Sequence, residues 1–151
     1  MEYDSDLERG KELFEEVAKP FKKLKSKKGK LDKAFHPKHV EVFNEVDCLK
    51  CANCCKTTSP IFRDTDVKRL AKSQKMSELE FEKTFLRTDE DGDMVLQTAP
   101  CPFLNLEDNT CNVYDKRPLA CREYPHTDRK NMYQILDLTQ KNLLVCPAVV
   151  R

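Results

Sequence analysis

The chain of 151 residues has no tryptophan, no dominant sign of charge and no long apolar run. Each absence closes off a class of protein. With 39% hydrophobic and 35% charged residues and a mean hydropathy of −0.69, the chain is polar and its core is thin. Something besides apolar burial is therefore expected to stabilise it. A formal net charge of +1 argues against nucleic-acid or membrane binding by the chain as a whole. No apolar stretch approaches the ~18 residues that a membrane span needs. The acidic start, Met1-Glu-Tyr-Asp-Ser-Asp-Leu-Glu, lacks the basic-then-apolar order of a signal peptide. A cytoplasmic protein is expected. There is also no Ser/His/Asp set, paired-carboxylate site or phosphate loop, so a self-contained hydrolase or kinase has no support.

What the chain does have is cysteine. Eight are present, four of them crowded into Cys48-Leu-Lys-Cys51-Ala-Asn-Cys54-Cys55. In a reducing compartment these are thiols or thiolates. Four disulfides would be the plain reading only if the chain were secreted, and the even count is the sole support for that. Two consecutive C-x-x-C steps can bring thiolates onto one metal centre. Cys101, Cys111, Cys121 and Cys146 must then be gathered by closing long loops. Metal is the expected stabiliser of the thin core.

Before the cluster, Leu7, Leu13, Phe14, Val17, Phe21 and Leu24 recur at helical spacing from Ser5 to Leu24, with Pro20 set to kink or split the helix. The face bearing Leu13, Phe14, Val17 and Phe21 is expected to dock on the rest of the chain or on a protein partner. A lysine run follows (Lys22, Lys23, Lys25, Lys27, Lys28 and Lys30). It reads as a solvated linker or helix end before a phosphate-binding patch, since no aromatics interleave with it beyond Phe21. Pro37 is expected to open a second helix through Val40, Phe43 and Val46. Beyond the cluster, Asp64 or Asp66 should cap a helix through Val67, Leu70 and Ala71. Ser77 and Glu80 form a capping box for the next, which runs through Phe81, Phe85 and Leu86. Asp91-Gly92 marks a turn into a strand, Met94–Gln97, and Asn131–Thr139 is a second strand candidate. A calcium loop beginning at Asp89 fails, because its sixth and twelfth positions are Met94 and Pro100 where Gly and Glu are needed.

The spacing of Cys48, Cys51 and Cys54 matches the first three ligands of bacterial ferredoxin-type clusters, whose remote fourth ligand precedes proline. Cys101-Pro102 and Cys146-Pro147 both offer that partner. The same set serves a tetrahedral zinc, and spacing alone does not separate the two. Cys55 directly follows Cys54, so one of them is expected to face a different centre or to meet the same cluster from another side. Eight sulfurs divide naturally into two four-thiolate sites, with other partitions open. The rivals are buried cysteines acting as small apolar side chains and a redox C-x-x-C, which would leave six cysteines unexplained. Arg117 and Arg122 flank Cys121, either offsetting thiolate charge or forming surface ion pairs. His126 reads as a structural hydrogen-bonding residue before a ligand. Tyr114 and Tyr124 read as packing groups, and His36 and His39 as solvent-facing.

Taken together, Cys48-x-x-Cys51-x-x-Cys54-Cys55, Cys101-Pro102-Phe103-Leu104, Cys111-x-x-Tyr114-x-x-Arg117-Pro118-x-x-Cys121-Arg122-x-Tyr124-Pro125 and Cys146-Pro147 resemble the YkgJ-type cysteine-cluster family. That resemblance implies zinc or iron chelation in the cytoplasm, without a settled reaction. A similar cluster in flagellin lysine N-methylases strengthens the case for an iron–sulfur centre and leaves an iron–sulfur redox or group-transfer enzyme, or a subunit of one, as the alternative. The expectation is a small, loop-rich α+β domain organised by metal. It has an amphipathic helical arm and basic linker over 1–46 and a metal-binding domain over 47–151. Cys48, Cys51, Cys54, Cys55, Cys101, Cys111, Cys121 and Cys146 are the candidate ligands, for an iron–sulfur cluster ahead of Zn2+.

Overall fold

A computed structural model describes residues 2–151 as an α+β chain in which helices dominate. In chain order the elements are α1 (Asp4–Glu16), α2 (Ala18–Leu24), a 3-10 turn (Lys25–Lys30), α3 (Asp32–Phe43), α4 (Cys48–Cys51) and α5 (Asn53–Thr57). There follow α6 (Asp64–Ser73), α7 (Glu78–Phe85), β1 (Leu86–Thr88), β2 (Met94–Leu96), a 3-10 turn (Tyr114–Lys116) and α8 (Leu119–Glu123). A 3-10 turn (Met132–Gln134), α9 (Leu136–Asn142) and α10 (Pro147–Val150) complete the chain. Among the described residues no helix is long and apolar enough to cross a membrane. The chain packs as two compact units, one formed by everything up to Cys51 together with Pro125–Arg151, the other by Ala52–Tyr124. Residues 125–151 thus group with the N-terminal segment, an arrangement absent from the expected division into 1–46 and 47–151.

In the first unit, the break between α1 and α2 falls at Val17. Pro20 has no N–H to give the carbonyl of Glu16, four residues back, and its ring crowds that carbonyl. Phe21 and Leu24 pack with Phe35 against buried Leu31, Met132 and Leu136, so the arm's apolar stripe has an occupant within the chain itself. The lysine run is exposed throughout and forms a helix end, the 3-10 turn. A second apolar cluster gathers Tyr3, Val42, Val46 and Cys51, with Ala148 against it.

Two expectations for this unit are corrected. The helix assigned to begin at Pro37 begins at Asp32, with Pro37 inside it. The carbonyl that Pro37 leaves without a donor belongs to exposed Lys33, where water can serve it. The Asp32 carboxylate also accepts the backbone N–H groups of Asn131 and Met132 at 2.8 and 2.9 Å, which anchors the helix start. The strand expected over Asn131–Thr139 is instead a 3-10 turn running into α9. Its buried residues Met132, Leu136, Thr139 and Leu143 recur at steps of four, three and four, which is a helical period and not an alternating one. His36 and His39, expected to face solvent, are half-buried. One turn apart on α3, they meet the carbonyl of Arg129 at 2.8 Å and the Thr127 hydroxyl at 2.8 Å respectively.

The second unit is built on Phe62, Val67, Leu70, Phe81, Leu86, Leu96, Phe103 and Val113. The rings of Phe81 and Phe103 stack with their planes 1° apart. Helix α7 starts at the expected capping box, Ser77 and Glu80 each accepting the other's backbone N–H. It leads into β1, which pairs antiparallel with β2. The intervening turn is closed by the Asp89 carboxylate, which accepts the N–H groups of Asp91 and Asp93 at 2.9 Å each. Capping of α6 differs from expectation. Arg63 is the N-cap, and Asp66 reaches back from the third helical position to accept its N–H at 3.0 Å.

Asp66 is fully buried and carries more than a cap. It accepts Arg69 Nη2 at 2.7 Å, Arg63 Nε at 3.2 Å and the N–H of Leu119, the first residue of α8, at 3.3 Å. Burial alone would raise its pKa. The guanidinium and backbone donors outweigh that and hold it at about 2. This depression is worth about 2–3 kcal/mol. Because the folded value lies below the unfolded one, the contribution is complete above about pH 4 and is lost as pH falls through about 2.

Two expected outcomes follow from these contacts. Asp66→Asn should lose about 3 kcal/mol at neutral pH and flatten the acid limb of stability, which denaturant unfolding at a series of pH values would measure. An acid limb identical to that of the parent would assign the loss elsewhere. Gly10→Ala should destabilise by about 1–3 kcal/mol, against the usual gain for this exchange inside a helix. A β-carbon on Gly10 would run into the carbonyl oxygen of Leu143, and thermal unfolding would register the clash.

Candidate metal centre

The cysteine-rich motif is not one helix. Asp47 begins it: its N–H donates to the Tyr3 hydroxyl at 3.0 Å, and its carboxylate accepts Leu49 N–H at 2.9 Å. A single turn, α4, carries Cys48 and Cys51, and Ala52 then adopts the left-handed conformation with φ 48°. A residue with a β-carbon pays about 1–2 kcal/mol for that conformation, and the helical path cannot continue through it. Helix α5 restarts the chain with Cys54 and Cys55, and its end is tied by Thr58, whose hydroxyl and N–H both donate to the carbonyl of Cys54.

Within Ala52–Tyr124, three further cysteines are positioned around Cys55. The N–H of Cys101 donates to the carbonyl of Cys55 at 2.8 Å. A narrow loop then pairs Leu104 with Cys111, bonded Asn105 N–H to Thr110 and Asn112 N–H to Phe103, each at 2.8 Å. Both Cys101 and Cys111 pack against the phenylalanine core, so the buried Phe103 and Leu104 of the Cys101-Pro-Phe-Leu motif act as anchors. Cys121 lies on α8. Asp66 holds the start of that helix, and Arg69 donates to the carbonyls of Lys116 and Arg117 just before it at 3.2 and 2.8 Å.

The electrostatics bind this set together. Burial first, then the charges of Cys55, Cys101 and Cys111, push the Cys121 thiol up to about 12. Burial also raises Cys101, to about 11, with Cys55 and Cys111 adding to the effect, and raises Cys111, with Cys55 adding. Cys55 moves the other way, to about 7. The Cys54 sulfur, 4.0 Å away, supports its thiolate against burial, and Arg117 and Lys56 add positive charge. Arg117 is held for this part, its guanidinium lying 3.7 Å above the Tyr114 ring and its Nε donating to the Tyr114 carbonyl at 2.8 Å. Tyr114 therefore packs beneath a cation and is otherwise exposed.

Cys48, Cys51 and Cys146 lie in the other unit. Burial pushes Cys146 up to about 12, with Cys48 and Cys51 adding their like charge. The unit boundary after Cys51 thus falls inside the ferredoxin-like Cys48, Cys51, Cys54 spacing; Cys101 shares a unit with Cys55, and Cys146 shares one with Cys48 and Cys51. His126, also in the first unit, takes the left-handed conformation with φ 67°. As placed, no three His, Cys, Asp or Glu side chains among the described residues stand close enough to hold an ion. The donor chemistry nevertheless fits a thiophilic metal. Cys55, Cys101, Cys111 and Cys121 are partly buried in one unit, and ionisation of Cys101, Cys111 and Cys121 is opposed by burial and by neighbouring thiolate charge. A cation bound among them would relieve both.

Sequence reasoning missed Asp66 and Arg69 as the groups that fix the Cys121 segment. The signal was faint: an Asp and an Arg three residues apart on a helix, with nothing local to show that a distant backbone N–H completes the set.

A family model, CxxCxxCC, described as a putative zinc- or iron-chelating domain, matches residues 47–143. The matched span contains every cysteine except Cys146. No curated protein and no solved structure matches the chain.

The left-handed Ala52 yields a test. Ala52→Gly should stay within about 0.5 kcal/mol of the parent, relief of the backbone offsetting the lost methyl burial. Ala52→Val should lose about 2 kcal/mol. Equal losses from both exchanges in denaturant unfolding would mean that packing, and not backbone conformation, rules this position.

Proposed function

This chain belongs to the CxxCxxCC family, and on that premise we propose that it is a metal-chelating protein whose main centre is formed by the thiolates of Cys55, Cys101, Cys111 and Cys121. The observation that carries the reading is the placing of these cysteines within Ala52–Tyr124. Cys101 donates its N–H to the carbonyl of Cys55, Cys101 and Cys111 pack on one apolar core, and Asp66 and Arg69 fasten the segment bearing Cys121. Four thiolates complete the ligand set of a tetrahedral zinc or of an iron–sulfur cluster, and such a centre supplies folding free energy to a polar chain.

The chain's own residues have distinct tasks in this centre. Cys55 has the thiol most easily ionised, so it is the first donor to a metal at neutral pH. Arg117 offsets the negative charge left when thiolates outnumber the charge of the metal. Asp66 and Arg69 set the position of α8 and hence of Cys121. Phe103 and Leu104, buried between Cys101 and Cys111, keep that loop against the core and limit water at the sulfurs.

Metal analysis of full-length protein purified without oxygen tests the reading. Stoichiometric iron with acid-labile sulfide and broad visible absorption identifies a cluster; a colourless protein with stoichiometric zinc identifies zinc. Cys121→Ser replaces a soft ligand with a hard, protonated one and should lower metal content sharply. Unchanged content in that variant, or a parent protein that holds neither metal, would overturn the proposal.

A further inference from the structure

The densest charge in the chain lies away from the cysteines. Residues 17–31 hold seven lysines and no aspartate or glutamate. The formal +1 of the whole chain is therefore +7 in this stretch and −6 elsewhere. We propose that this lysine face, on α2 and the 3-10 turn after it, binds double-stranded nucleic acid through its phosphates, without reading sequence. The inference goes beyond metal chelation and does not depend on it.

Packing fixes which way the lysines point. In α2, Phe21 and Leu24 are three residues apart and share the side that packs with Phe35 on buried Leu31, Met132 and Leu136. Lys19, Lys22 and Lys23 stand at the i, i+3 and i+4 positions of the opposite side, and all three are exposed. Lys27, Lys28 and Lys30 continue the exposed run through the 3-10 turn. A β-carbon on Gly29, between them, would meet no atom within 4 Å, so the chain is open on that side. Among the described residues Lys25 alone of the seven meets a carboxylate, that of Asp137 at 2.8 Å, and the other six have no ion-pair partner there. At ~1.5 Å per residue in α2 and ~2.0 Å in the turn, the stretch follows about 20 Å. That is the rise of about six phosphates along one strand of a duplex.

The chemistry of the face selects the partner. Lysine is a point charge that meets phosphate without the directional fork of arginine, and the stretch holds no Arg, Asn or Gln to read a base edge. Its one aromatic, Phe21, is turned to the core, so no ring is offered for the stacking that unpaired bases need. Such a face contacts phosphates and leaves the bases unread, which suits a duplex. A membrane fits less well. Phe21, Leu24 and Leu31 all pack inward, leaving no large apolar side chain to insert among lipids. Helix α1, which runs into α2 at Val17, carries six carboxylates against two cations. A plane of anionic head groups is broad enough to meet those carboxylates as well, whereas a duplex can follow the lysine face alone.

The test titrates a fluorescently labelled DNA duplex of about 20 base pairs with full-length protein at several KCl concentrations, read by anisotropy. Binding should be micromolar at about 50 mM KCl and should weaken with salt along a log–log slope of about −3 to −5. A duplex of unrelated sequence, and an RNA duplex, should bind within about threefold of the first. Lys22→Gln combined with Lys23→Gln should weaken binding by about tenfold or more and make the slope shallower by about 2. Lys68→Gln combined with Lys72→Gln removes the same charge from exposed positions on α6 and should leave affinity and slope at the parent's values. Equal losses in the two variants would reduce the effect to net charge and overturn the lysine face as the site. Absence of duplex binding at low salt would also overturn it, as would tighter binding to phosphatidylserine vesicles than to either duplex.

Discussion

Sulfur atoms gathered against an apolar core cannot all carry charge unless a cation joins them, and the Ala52–Tyr124 unit is arranged around that constraint. Burial disfavours the thiolate at Cys101, Cys111 and Cys121, and each ionised neighbour disfavours it further. Arg117 and Lys56 offset only part of this, mostly at Cys55. The rest of the unit supplies rigidity. Stacked phenylalanines seat the Cys101–Cys111 loop, and the buried Asp66 with its two arginines fastens the segment that carries Cys121. A chain with 35% charged residues has little apolar area for such a task, and on the proposed function metal ligation supplies the compensating folding free energy.

Asp66 shows how one buried charge serves both fold and site. Its carboxylate meets two guanidinium groups and two backbone N–H groups, so the cost of burying it is offset by directed bonds. Those same bonds join the start of α6 to the start of α8, which lie far apart in sequence. Arg69 is held by the carboxylate and in turn holds the carbonyls of Lys116 and Arg117. The α8 cysteine is therefore positioned by a polar network and not by the hydrophobic core that seats Cys101 and Cys111.

Features set by local chemistry were legible in the sequence. The Ser77–Glu80 capping box, the Asp91-Gly92 turn into β2 and the interruption near Pro20 each depend on a few neighbouring residues, and each is found. The family was legible as well, because the motif that defines it is carried by the cysteines and their spacing alone. What escaped was non-local. Met132, Leu136 and Thr139 carry β-favouring neighbours, yet burial on one face makes them helical. Pro37 looks like a helix start until Asp32 finds its backbone donors about a hundred positions away. Nor could spacing reveal that Ala52 turns left-handed, which ends one helix and begins another inside what reads as a single motif.

The seating of Gly10 beneath the Leu143 carbonyl has a bearing on the order of events during synthesis. The Ala52–Tyr124 unit is continuous in sequence, so all its packing partners have left the ribosome once Tyr124 has emerged. Helix α1 is made before α9 and α10 but must wait for them, because the surface shaped to receive Gly10 does not exist until then. Packing of α1 therefore follows synthesis of α10, and the apolar stripe of the preceding helices stays uncovered in the interval.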